Sequence, residues 1–299
     1  MQNKSIHLIS KVKEIYAQGG NIIKFLKKEN KRTQNTLEEI LISYDFQSGS
    51  YIDYVTKNPL YIKEYTEELS SIIKNIGVSN TILEVGVGEC TTLANIISEL
   101  KQKNTIYFGF DISWSRIHYG KRYLASKKHK ANLFVADLFN IPLPSDSIDI
   151  VYTSHSIEPN GGREKEALIE LLRITKKYLI LLEPTAEFAS NEGIKRMKEN
   201  GYIQNLKSII LELGLDLIEY KKFKICSNEL NPTGLYVIKK HSDKEVKNNP
   251  DFICPISKSP MEEFDDHFFC EDSFISYPKI NNTPCLLDSY GILTTKHNY

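Results

Sequence analysis

The chain has 299 residues, and its 38 lysines and arginines balance 38 aspartates and glutamates, so the formal net charge is zero. That balance excludes a global field that would recruit nucleic acid or an anionic membrane, and no run approaches the apolar length of a membrane span. Five scattered cysteines and an N-terminus without a continuous apolar core suit a reducing cytoplasm better than a secreted disulfide framework.

Residues 5–75 read as mostly helical. Ile6, Leu8-Ile9, Val12 and Ile15-Tyr16 recur at helical spacing, and Gly19-Gly20 breaks that helix. A second short helix begins at Ile22. A third begins after Thr36, which has Glu39 three residues on, the spacing of a capping box. The basic runs at 27–32 and 127–130 read as solvated helix faces or ends. The stretch from Tyr44 to Tyr54 is non-periodic and holds three tyrosines, Tyr44, Tyr51 and Tyr54, among acids and serines. Two readings stay open: a segment that covers a ligand with aromatic faces, which also stabilise cations, or tyrosines that only pack a helical cap. Tyr61, Tyr65 and Leu69 lie at i, i+4 and i+8, one face of a helix.

Residues 81–93, TILEVGVGECTTL, are the centre of the reading. An apolar run, Gly86 and Gly88, then a helical pattern make strand, glycine turn and helix. Strands are expected near 81–86, 105–110, 131–136, 148–153 and 177–183, and helices near 90–101, 113–126 and 163–176. This alternation predicts an α/β fold with a parallel sheet covered on both faces. Ligands of such sheets lie beyond the carboxyl ends of the strands, near Glu84, Asp111, Asp137 and Ser154-His155. A dinucleotide fingerprint would have a third glycine where Thr91 stands, so NAD or another nucleotide is an alternative that Thr91 argues against. Further on, 191–212 reads as helical with an interruption at Gly201-Tyr202, and 215–223 and 235–239 read as strands around the turn Asn231-Pro232-Thr233-Gly234.

ILEVGVGECTT, FGFDIS, FVADLFNIPLPSDSIDIVYTSHSIE and LILLEPT, in that order within 60–240, resemble a class I S-adenosylmethionine (SAM)-dependent methyltransferase of the type 11 kind. The resemblance implies a Rossmann-like, seven-stranded, mostly parallel sheet closed by an antiparallel hairpin, with SAM as cofactor. Glu84, Gly86 and Gly88 would line its methionine part, Asp111 would bind the ribose hydroxyls, and Asp137 and Leu138 would border the adenine, with Ser154 close by. The segment after the fourth strand is where a methyl acceptor should sit. It lacks the Asn-Pro-Pro-Tyr motif of many amide and base N-methylases. It offers His155 as a base, Glu158 as an acid or orienter, and Asn160 as a hydrogen-bonder; a histidine that only bonds its own loop is the alternative for His155. Tyr51 and Tyr54 join Asn160 as candidate substrate contacts. Glu183, Tyr202 and Asn231 are secondary candidates whose turn and packing roles weigh more.

HSDKEVKNNP at 241–250 reads as a linker. Beyond it, Cys254-Pro255-Ile256-Ser257, Cys270-Glu271-Asp272-Ser273, Tyr277-Pro278 and Thr283-Pro284-Cys285-Leu286-Leu287 resemble the small zinc-ribbon module called Trm112-like. Ser257 and Ser273 stand where second zinc cysteines would be, so a metal-free module held by Phe252, Phe268, Phe269, Tyr277 and Leu286-Leu287 is expected. The expected organisation is a helical cap at 1–75, a SAM-binding domain at 76–240 and a linker plus small β module at 241–299. The expected activity is methyl transfer to an oxygen or nitrogen of a small molecule, such as a sugar, sugar nucleotide or secondary-metabolite intermediate. The alternatives are methylation of tRNA or a translation protein, and a non-catalytic SAM-binding scaffold. The partners expected are the small-molecule acceptor and a second copy through the C-terminal module, with no membrane and with nucleic acid disfavoured.

Overall fold

The computed structural model describes residues 5–32, 34–240 and 250–297. The linker expected at 241–250 falls almost wholly outside them.

Five helices come first: α1 (Ile9–Ala17), α2 (Ile22–Glu29), α3 (Leu37–Phe46), α4 (Ser50–Lys57) and α5 (Pro59–Ile76). The α3 cap is the expected capping box, Thr36 and Glu39 exchanging bonds. The reading of 44–54 as non-periodic is corrected. It is the end of α3, a turn at Gly49 with φ +99°, and the start of α4. The sequence pattern fails there because two helices meet within one short span, so neither shows a full period.

Next come β1 (Thr81–Val85), α6 (Thr91–Leu100), β2 (Ile106–Asp111), α7 (Trp114–Ser126), β3 (Asn132–Val135), β4 (Ile148–Ser154), α8 (Glu164–Ile174) and β5 (Thr175–Pro184). Then follow α9 (Asn191–Asn200), α10 (Leu206–Glu212), β6 (Asp216–Lys222) and β7 (Thr233–Lys239). The strand order is β3-β2-β1-β4-β5-β7-β6. All neighbours are parallel except at β7, which runs antiparallel to both β5 and β6. The expected fold and closing hairpin are therefore present. Burial on both faces explains the apolar runs: along β1, Leu83 and Val85 enter one core while Ile82 enters the other, which α5 and α6 cover. Strand order reverses between β1 and β4, which opens the crevice where ligands of such sheets bind.

The chain ends in a small antiparallel sheet of β8 (Glu262–Glu263), β9 (His267–Cys270), β10 (Ile275–Ile280), β11 (Thr283–Pro284) and β12 (Ile292–Leu293). It covers the β3 edge of the large sheet, where the Leu286 N–H donates to the Val135 carbonyl at 2.8 Å. An uncovered edge strand would be a template for unwanted pairing. Phe252 packs on Phe134, and Phe268, Tyr277 and Leu286 enter the same core as β1 and β4. The Cys and Ser positions of this segment converge, with Ser257 Oγ 3.3 Å from Cys270 Sγ and Cys254 Sγ 3.5 Å from Ser273 Oγ. Among the described residues no group of three or more His, Cys, Asp or Glu side chains is arranged to hold a metal. No described helix is long and apolar enough to cross a membrane.

Candidate functional site

The glycine turn after β1 takes backbone conformations that side chains disfavour: φ is +61° at Gly86 and +51° at Gly88. Asp111, at the end of β2, holds the turn. Its carboxylate accepts the Gly88 N–H at 3.0 Å and the Ser113 N–H at 2.9 Å. Glu84 lies inside β1 and accepts from the Tyr152 hydroxyl at 2.9 Å. Burial pushes its pKa up to about 8, against the pull of that hydroxyl and the Leu93 N–H. Burial also raises the Asp111 and Asp137 carboxyls. Asp137 accepts the Phe139 N–H at 3.0 Å, which fixes the start of the loop after β3.

One cavity of about 380 Å³ joins these groups. Glu84, Gly86, Gly88, Asp111, Asp137, Leu138 and Ser154 line it, and so do His155, Glu158, Tyr51, Tyr54 and Asn160. The structure thus brings these twelve candidates to one space, with Asn231 beside them, while the other secondary candidates, Glu183 and Tyr202, are not part of its lining. Ser154 meets the cap there, its Oγ 2.8 Å from the Tyr65 hydroxyl.

The wall after β4 is built around Glu183 at the end of β5. Its buried carboxylate accepts the N–H groups of Ser156, Ile157 and Glu158 at 3.0–3.1 Å. His155 sits in the left-handed region at φ +57°, a conformation that costs free energy and gathers at functional sites. Its Nδ1 is 2.7 Å from Glu158 Oε2 and its Nε2 is 2.8 Å from Thr233 Oγ1. Burial alone would lower the imidazole pKa, but the bond to Glu158 and the charges of Glu158 and Glu183 raise it overall. Both ring nitrogens are engaged within the protein. Asn231 Nδ2 donates to Glu158 Oε1 at 3.1 Å. Asn160 Nδ2 bonds back to the Ile157 carbonyl at 3.3 Å.

Two residues that the sequence reading passed over tie the cap to this site. Glu89 follows Gly88 directly, and its carboxylate accepts the N–H groups of Gly49, Tyr51 and Ile52, the first turn of α4. Arg116 on α7 lies 3.8 Å from Glu89, donates to the Tyr44 carbonyl at 2.9 Å and faces the rings of Tyr44 and Tyr51 at 4.9 and 4.4 Å. In return Asp45 of α3 accepts from the Ser113 and Ser115 hydroxyls at the start of α7. A signal for Arg116 existed: it is a charge on the inward face of α7, beside the buried Ile117, Gly120 and Leu124. Glu89→Ala would leave the buried guanidinium unpaired and α4 uncapped. It is expected to cost roughly 3 kcal/mol in urea unfolding, whereas an unchanged midpoint would mean the latch is dispensable.

Residues 82–178 match the profile of a methyltransferase domain. No curated protein matches the sequence. Among solved structures, the fold is similar to magnesium protoporphyrin IX methyltransferase from Synechocystis PCC 6803 with bound SAH, the demethylated cofactor. The TM-score is 0.50 and the identity 13%, over 67% of this chain and 99% of that one. It is also similar to a chain from the complex of the Haloferax volcanii Trm112 methyltransferase activator and a methyltransferase, with TM-score 0.50 and 15% identity over 66% of this chain and 96% of that one. With the profile match across β1 to β5 and the seven-stranded order of the sheet, residues 82–178 are a methyltransferase domain, and the fold they anchor is that of the class I, SAM-dependent methyltransferases.

Proposed function

We propose that this chain binds SAM in the cavity between the glycine turn and the wall after β4, and directs methyl transfer to an oxygen or nitrogen of a small molecule. One observation carries this reading: a single cavity of about 380 Å³ runs from Asp111 to Glu158 under a cap of tyrosines, a space suited to a cofactor and a small acceptor. The residues fit the cofactor. Asp111 offers carboxylate oxygens to ribose hydroxyls, and Glu84 offers a carboxylate to an ammonium. Gly86 and Gly88 leave the turn bare of side chains, and Ser156 Oγ is buried there without a partner. When bound, SAM supplies a methyl group already activated on a sulfonium.

The chain's own part is alignment and exclusion of water. The rings of Tyr44, Tyr51, Tyr54, Tyr61 and Tyr65 line the cavity, and their faces suit a cationic centre. Glu158, held by His155 and Asn231, accepts a hydrogen bond from the acceptor's O–H or N–H and takes up its proton. Tyr51, Tyr54 and Asn160 contact the acceptor. The zero net charge favours a small acceptor over a nucleic acid. In our reading the chain divides into 1–75, 76–240 and 241–299, and the last unit is a Trm112-like ribbon without metal that braces the β3 edge and offers a face to a second copy.

Calorimetric titration with SAM, SAH and NADH tests the central reading. SAM and SAH should bind and NADH should not; a folded protein that ignores SAM and SAH would sink it. Glu84 gives the titration a pH signature. Its folded pKa of about 8 lies above the ordinary 4.5, so the free protein holds this carboxyl protonated at pH 7 and loses stability as pH rises from 4.5 toward 8. An ammonium ligand needs the carboxylate, so binding at pH 7 should release close to one proton. Affinity should then rise with pH up to about 8 and level off. Titrations in two buffers of different ionisation enthalpy read this directly, and Glu84→Gln should abolish it.

A further inference from the structure

The acceptor end of the cavity holds polar atoms that the protein leaves unsatisfied. Arg196 Nη1, on α9, is buried and has no hydrogen-bond partner, and the same holds for Asn231 Oδ1. Both residues line the cavity. The other cationic groups there have ion-pair partners: Arg116, whose Nη2 is also buried without a hydrogen-bond partner, lies 3.8 Å from Glu89, and His155 lies beside Glu158. Arg196 forms no ion pair with any carboxylate among the described residues and only faces the Tyr202 ring at 5.5 Å. Tyr202 lies between the two ends of this subsite: its ring faces Arg196, and burial and the charge of Glu158 raise its hydroxyl pKa.

Resting on the methyltransferase reading above, we propose that the acceptor carries an oxyanion, a carboxylate or a phosphate, which binds Arg196, while its nucleophilic hydroxyl or amine points to Glu158 and Asn231. A buried guanidinium N–H without a partner is costly, and the paired oxygens of a carboxylate or phosphate match its fork. Glu158 repels an anion from its own end, so the acceptor's orientation is set. A group that donates a hydrogen bond fits Asn231 Oδ1, whose partner Nδ2 is already spent on Glu158. The two ends of the subsite thus ask for opposite properties of one small molecule, and together they fix which atom faces the methyl group.

The test uses protein saturated with SAH, titrated with inorganic phosphate, 4-hydroxybenzoate and the neutral 4-hydroxybenzamide, on wild type, Arg196→Gln and Arg196→Lys. At least one oxyanion should bind the wild type about tenfold more tightly than the amide does, and lose about that factor in Arg196→Gln, with Arg196→Lys between. SAH affinity should stay the same in all three, which also shows that the variants fold. Preference for phosphate or for benzoate identifies the anion. Oxyanions that bind no better than the amide, or equally to Arg196→Gln, overturn the proposal while SAH binding keeps the cofactor reading intact. Failure of SAH to bind wild type removes both.

Discussion

Asp111→Ala is expected to weaken SAM and SAH binding about 100-fold. Ribose hydroxyls on a carboxylate are charge-assisted bonds of roughly 1.5–3 kcal/mol each, and two of them account for that factor. The same carboxylate anchors the turn through the Gly88 and Ser113 N–H groups, so its loss also loosens the surface on which the cofactor rests. Stability should change little. Burial raises the Asp111 pKa, so the ionised group costs the fold something that alanine restores, offsetting the two orphaned N–H groups. Asp111→Asn keeps one acceptor oxygen and should fall between, at about tenfold. Calorimetry beside a thermal melt separates the two effects. An alanine variant that melts normally and binds SAH as tightly as wild type would take Asp111 out of the cofactor site.

The parts of the molecule that were legible in the sequence share one property: they repeat. The strands and helices from β1 to β5 alternate, and each observed bound lies within a few residues of its expected place, because buried parallel strands and amphipathic helices write their periods into the chain. Glu84, Asp111 and Asp137 were legible because they follow apolar runs at strand ends or just within them. The rest depends on contacts across long separations. Glu89 looks like one more residue of a glycine turn until Gly49, Tyr51 and Ile52 are seen to donate to it. Arg116 is an ordinary helix charge until burial singles it out, and Arg196 is one until its Nη1 is seen to be enclosed without a partner. In the sequence, position alone makes His155 a candidate base. Its bonds to Glu158 and to Thr233, 78 residues away, are reported by no spacing rule in the sequence.

Gly86→Ala should be severely damaging for so small a change. A Cβ at Gly86 would stand 2.4 Å from the Ser156 Cβ and 3.4 Å from its Cα, in a backbone at φ +61°. The left-handed conformation alone costs about 1–2 kcal/mol for a residue with a Cβ. The overlap costs more, because Ser156 cannot step aside: its N–H, with those of Ile157 and Glu158, is fixed on the buried Glu183. Something must move, and both candidates matter. If the turn moves, the cavity loses that wall; if the 154–160 loop moves, Glu158 leaves its place in the cavity lining. Displacements of this order cost roughly 100-fold in rate even where binding survives. Gly88 provides the contrast. Its nearest neighbour is Arg116 Nη1 at 3.3 Å, the end of a long side chain, so Gly88→Ala should lose only about 1–2 kcal/mol for backbone strain. Ser156→Gly removes the atom that Gly86→Ala strikes. The double variant should therefore recover much of the activity that Gly86→Ala loses, a coupling measured as a double-mutant cycle on kcat. Additive losses would mean that the turn and the loop do not bear on each other as the close approach requires, and that strain in the turn alone explains the defect.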